Sequence, residues 1–171
     1  MDAETLRSLQ APIKAGYRDD PASAVFTLRA EGSVDGSGLT CKVSTARGLA
    51  EAGLHPATGG DGLSLCSGDM LLEALVACAG VTLRAVATAL DIQVRGGIVR
   101  AEGDLDFRGT LGVSKETPVG FTAIRLTFDL DTDATEDQLA TLLKLTERYC
   151  VVLRTIQTPP STSAAISRTS S

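Results

Sequence analysis

The stretch from Ser67 to Leu90, SGDMLLEALVACAGVTLRAVATAL, constrains this chain more than any other. It contains no proline and is built mainly of Leu, Ala, Val and Met, which predicts one long helix. Ser67 is placed to cap its start, and Asp69 in the first turn suits the helix dipole. Glu73 and Arg84 are the only other charges before Asp91. A helix apolar on most faces belongs inside a protein or at a subunit interface. Glu73, Gly80 and Arg84 interrupt it too often for a good membrane span. Cys78 stands in its middle.

The surroundings predict the rest of the architecture. Leu6, Leu9 and Ile13 have helical spacing within Ala3 to Ala15, and a polar link, Gly16 to Pro21, follows. Residues 1–23 are therefore expected as a helical arm and 24–171 as one domain. AVFTLRA (Ala24 to Ala30) and LTCKVST (Leu39 to Thr45) alternate like strands around the turn Asp35-Gly36-Ser37-Gly38, which predicts a hairpin carrying Cys41. The glycine-rich segment Leu54 to Gly62 lacks the Gly-Lys-Ser/Thr of a phosphate loop and reads as a connection. Asp91 to Phe107 reads as a long strand or bent hairpin with a bulge at Gly96-Gly97, and Arg108 to Gly120 as a loop. Phe121 to Leu130 alternates most clearly of all. Thr135 and Gln138 form a capping box opening a helix over Glu136 to Tyr149, with Leu139, Leu142, Leu143 and Leu145 on its buried side. Cys150 closes that helix, and Thr158 to Ser171 is expected as an edge strand and a loose tail. Strands and helices do not alternate regularly, which favours an α+β fold with helices on one face of an antiparallel sheet.

Composition excludes several functions. The chain has a net charge of −5 and no basic run interleaved with aromatics, which argues against nucleic acid as a partner. The start MDAETLRSLQ lacks the pattern of a signal peptide, so a cytoplasmic location with reduced thiols is expected. Four cysteines, Cys41, Cys66, Cys78 and Cys150, and one histidine, His55, are present. No C-x-x-C occurs, so a metal site would need four scattered residues to converge. His55, in the glycine-rich loop, reads as a solvent-exposed residue. On composition and spacing alone Cys78 is either a small core hydrophobe or a reactive thiol, and Cys150 beside Arg148 is open in the same way.

SGDMLLEALVACAGVTL, followed seventy-two positions after Cys78 by ERYCVV, resembles the paired cysteine motifs of the OsmC/Ohr family. The order of elements is similar as well, and the resemblance covers roughly Ala24 to Ile166. It implies an α+β fold in which an antiparallel sheet wraps long central helices in an intertwined homodimer, with active sites at the subunit interface. It further implies thiol-dependent reduction of hydroperoxides, often organic ones, with no cofactor and no metal. Cys78 would be the peroxidatic residue and Cys150 the resolving one, and a lipoyl-type or thioredoxin-like dithiol would restore the pair. No membrane partner is implied.

The family's acidic helper residue falls on Asp69, nine positions before Cys78 and half a turn out of phase on an ideal helix. Only an irregular first turn or the partner subunit would bring it to the thiol. Glu73 is a weaker candidate and reads as a partner of Arg84 or of the other subunit. The family's arginine falls on Arg47, with Arg29 as the alternative. Val151 stands where many relatives carry proline. Cys41 and Cys66 match neither motif position and read as structural, although Cys66 lies at a helix start. Leu71, Leu75 and Val81 suggest an apolar pocket around Cys78. Two rivals remain at this point: a non-enzymatic module binding an apolar small molecule at the dimer interface, and a thiol enzyme acting on another electrophile.

Overall fold

The computed structural model describes residues 50–112 and 114–168, the backbone of 31–33, 40–45 and 48–49, and isolated positions among the first nineteen. Four strands form one sheet in the order of the chain: β1 (Glu31–Ser33), β2 (Thr40–Thr45), β3 (Gly48–Gly53) and β4 (Leu65–Cys66). β1 pairs antiparallel with β2, Glu31 opposite Ser44, which puts a strand just after the expected first arm of the hairpin; Ala24 to Ala30 and the turn Asp35 to Gly38 lie outside the described residues. Positions 4, 5, 8, 11 and 15 of the expected N-terminal helix are helical, and so is position 19, expected in the link.

The long helix α1 runs from Ser67 to Ala89, as its composition predicts. Its start differs from expectation: Cys66 occupies the N-cap, makes no side-chain capping bond, and Ser67 is already helical. The reason is the sheet. β4 pairs parallel with β3, Gly53 opposite Cys66, and so holds Cys66 extended up to the first helical residue. Leu75, Ala79, Leu83 and Ala87 are buried, one every fourth residue. α1 is long and apolar enough to cross a membrane by length and composition, contrary to the sequence expectation, but this face is covered by protein.

Two twelve-residue strands, β5 (Val94–Leu105) and β6 (Phe121–Thr132), pair antiparallel in a second sheet. The expected bulge is present, as a register shift between Val94 and Gly96. Gly97 has no room for a side chain, because a Cβ there would lie 2.4 Å from the Asp129 carbonyl oxygen. Alternation separates the two faces of this sheet. Val99, Ala101, Ile124, Leu126 and Phe128 face the core, whereas Arg100 pairs with Asp129, and Arg125 with Asp104 and Glu102, on the exposed side. The connection between β5 and β6, expected as a loop, holds a four-residue helix, α2 (Phe107–Thr110), capped by Asp106.

Helix α3 (Glu136–Tyr149) opens with the expected capping box. The Gln138 N–H donates to Thr135 Oγ1 at 3.3 Å, and the Thr135 N–H to Gln138 Oε1 at 2.9 Å. Its buried stripe is Leu142 and Thr146, continued by Cys150, again one every fourth residue. Fourfold ridges on α1 and α3 can therefore interlock. Leu143, expected on the buried side, is 45% exposed, while Leu139 and Leu145 are half-buried. The chain end corrects the expectation too. Val151–Gln157 forms a further helix, α4, and residues 158–168 carry no strand. Pro159 and Pro160 contribute no N–H to a ladder there.

Candidate active site

Three segments build the site. α1 carries Cys78 on the flank of its buried stripe, half-exposed. Cys150, fully buried, is at once the last residue capping α3 and the residue capping the start of α4. Its extended backbone, φ −71° and ψ 106°, breaks one helix and starts the next, so the first N–H groups of α4 are free of helical partners. Cys78 and Cys150 pack in one cluster with Leu75, Ala79 and Val152 under the apolar face of β5 and β6.

The two thiols are chemically unequal although both are free. Burial works to raise the Cys78 pKa, but hydrogen bonds to its sulfur outweigh it. They come from the Val152 N–H, the Cys150 thiol, the Thr82 hydroxyl and the Val151 N–H, and the net shift is downward. Cys150 shifts upward: burial is the largest cause, and the neighbouring Cys78 adds to it, against opposing bonds from the Leu153 and Val152 N–H groups. A thiolate is the nucleophilic form of cysteine, so Cys78 is the better-prepared nucleophile and Cys150 remains a thiol beside it.

The other residues singled out from the sequence lie elsewhere. α1 is helical from Ser67 onward, so Asp69 stands about 13 Å along the axis from Cys78 and on another face. It lines a cavity of about 540 Å³ together with Cys66, His55, Leu71, Phe107 and Phe121. Within one chain the structure does not bring Asp69 to the thiol pair. Arg47 and Arg29 lie outside the described residues, as does the side chain of Cys41. Glu73 is exposed, and Arg84 donates instead to the Val94 carbonyl at 2.6 Å. Of the residues expected to make an apolar pocket around Cys78, Leu75 belongs to the thiol cluster, while Leu71 is 40% and Val81 72% exposed in the single chain. His55 is half-buried rather than solvent-exposed. Its Nδ1 accepts the Ala57 N–H at 3.0 Å and its ring stacks on Phe107, which closes the turn at Pro56–Thr58.

The donors to Cys78 were not singled out from the sequence. Thr82 was findable, since it follows Cys78 by one helical turn. The Val151 and Val152 N–H groups carry no side-chain signature and emerge only from the break at Cys150.

Residues 59–164 match the family model of OsmC-like proteins. Among curated proteins none matches. Solved structures share the fold at low identity. An OsmC-like protein from Mycoplasma pneumoniae superposes with a TM-score of 0.64 at 15% identity, over 78% of this chain and 89% of that one. An organic hydroperoxide resistance protein from Legionella pneumophila gives 0.62 at 18% identity, over 79% and 92%. The organic hydroperoxide resistance protein OhrB of Bacillus subtilis gives 0.52 at 18% identity, over 80% and 94%.

Proposed function

Since the chain belongs to the OsmC-like protein family, we propose that it reduces hydroperoxides, organic ones in particular, through Cys78 and Cys150. The single observation that carries this reading is the contact between a thiol shifted down and a thiol shifted up. The Cys78 thiolate attacks the O–O bond of ROOH; one oxygen stays on sulfur as a sulfenic acid, and the other leaves as ROH after taking up a proton. The Cys150 thiol then condenses with the sulfenic acid, releasing water and forming a disulfide. A dithiol reductant, lipoyl-type or thioredoxin-like, returns both sulfurs to thiols by exchange and is itself oxidised. The cycle uses no metal and no organic cofactor.

The reading includes a cytoplasmic homodimer. Leu71, Ala74, Ala77 and Val81 make an exposed apolar stripe along α1, which a second copy would bury. Asp69 would then act on the partner's thiol pair, and Arg47 would supply positive charge to the thiolate and the leaving oxygen.

Intact mass and free-thiol counts, before and after one equivalent of cumene hydroperoxide, test the reading. Wild type is expected to lose two thiols to a Cys78–Cys150 disulfide. Cys150→Ser is expected to hold a trappable sulfenic acid, and Cys78→Ser to be inert. Survival of all thiols in wild type rejects the reading.

A further inference from the structure

The cavity beside Asp69 contains neither Cys78 nor Cys150. Its volume, about 540 Å³, falls within the range of about 300–1,000 Å³ usual for small-molecule sites. Leu72, Leu105, Phe107 and Phe121 line it half-buried, and Leu71 and Val119, which are exposed, edge its opening. Both aromatic walls are held in place by the fold. The His55 ring, whose Nδ1 accepts the Ala57 N–H, stacks on Phe107 with centroids 4.9 Å apart. The Phe121 ring lies against the bare backbone of Gly103, where an added Cβ would come within 2.4 Å of it. One charge belongs to this apolar surface: Asp69 is the only charged side chain among the described residues that line it. The described ion pairs join Arg95, Arg100, Arg108 and Arg125 to carboxylates on or beside β5 and β6, and none includes Asp69.

We propose that this cavity binds a hydrophobic amine, whose apolar body packs against Phe107 and Phe121 and whose ammonium group meets Asp69 at the rim. The charge decides the class of ligand. The free N–H groups at the start of α1 favour an anion, but Asp69 in the first turn already supplies one. A second anion is repelled by that carboxylate. A cation is attracted by it and by the electron-rich faces of the two phenylalanines. The apolar lining, in turn, selects for a ligand whose remaining atoms are hydrocarbon. The inference uses neither Cys78 nor Cys150 and goes beyond the hydroperoxide reading.

The test uses three probes of similar shape and different charge: 1-naphthylmethylamine, 1-naphthalenemethanol and 1-naphthoate. Each is titrated calorimetrically into the full chain without peroxide. The amine is expected to bind about tenfold tighter than the alcohol, and the carboxylate weakest of the three. Asp69→Asn is expected to bring the amine and the alcohol to equal affinity. Gly68→Leu is expected to abolish binding of all three. A Cβ at Gly68 makes ordinary contacts, 3.4 Å from the Phe121 ring and 3.6 Å from Cys66 Sγ, so the rest of the leucine fills the cavity. Should Gly68→Leu not fold, protection of Cys66, which lines the cavity, from iodoacetamide by the bound amine locates the site by peptide mass. Absence of amine binding to wild type overturns the proposal, since the cavity is then filled by another part of the protein or by a second copy. An alcohol or carboxylate probe that binds as tightly as the amine overturns it too, as does a preference for the amine that survives Asp69→Asn. Unchanged binding in Gly68→Leu, or unprotected Cys66, places the probe elsewhere and has the same consequence. Amine binding by a chain whose thiols ignore cumene hydroperoxide supports this site and rejects only the peroxidase reading.

Discussion

The buried face of α1 meets two clusters that use the same spacing for different ends. Toward its C-terminus, Leu83 and Ala87 pack with Ile92 and Leu142, and Val86, Val94 and Leu130 close around them. Toward its N-terminus, Leu75 and Ala79 pack with Cys150, and Cys78 lies on the flank. Both clusters alternate a leucine with an alanine on α1, which lets α3 approach closely. They differ in what the facing stripe contributes: Leu142 in the first, Cys150 in the second, with Thr146 between them. The comparison teaches that the thiol pair occupies a core position. The packing that makes the fold also sets the distance between the sulfurs, so stability and chemistry are coupled in one cluster and separate in the other.

Paired truncations break that comparison most forcefully. Leu83→Ala and Leu75→Ala each delete a buried side chain and are expected to cost about 2–5 kcal/mol by denaturant titration. Leu83→Ala should leave the rate of Cys78–Cys150 disulfide formation unchanged under conditions where both variants are folded. Leu75→Ala should slow it, since the cavity opens beside Cys150. Equal rates in the two variants would mean that the pair is held by α4 alone.

Thr146 sharpens the comparison on a smaller scale. Its hydroxyl is fully buried and has no hydrogen-bond partner among the described residues. Thr146→Val removes an unsatisfied group at nearly constant volume, and is expected to raise stability by about 1–3 kcal/mol. A destabilised Thr146→Val, measured the same way, would reveal an acceptor for that hydroxyl.

The smallest effect is on pH dependence. Cys78 titrates lower in the folded chain than in the unfolded one. Between those two values the unfolded state holds more protons, so stability rises with pH through that window. Cys150, shifted upward, works in the opposite direction, over a window above its unfolded value. Cys78→Ser should therefore lose the rise at the lower end and Cys150→Ser the fall at the upper end. Superimposable pH–stability curves for the two variants would contradict the asymmetry of the thiols.

Much of this was legible in the residues. The absence of proline and the run of Leu, Ala and Val in 67–90 specified α1 almost to its ends, and Thr135 with Gln138 specified the start of α3. Alternation at Phe121 to Leu130 specified a strand, which the ladder with β5 extends by two residues to Thr132. The strands β3 and β4 were missed, because GLAEAG and LC are too small or too short to alternate visibly and are strands only through their neighbours. α4 was missed because seven residues after a broken helix carry too little pattern of their own.

What the sequence determined by itself is local: which segments can be helix or strand, where the capping box lies, and, through two motifs at a characteristic spacing, which cysteines to compare. Those properties depend on residues within a few positions of one another, or on a likeness of pattern. What only the tertiary structure decided is the inequality of Cys78 and Cys150. It arises from backbone N–H groups released at Cys150, from a hydroxyl one turn along α1, and from the burial of one sulfur more than the other. Each of these requires segments seventy-two positions apart to meet, and no run of neighbouring residues records that meeting.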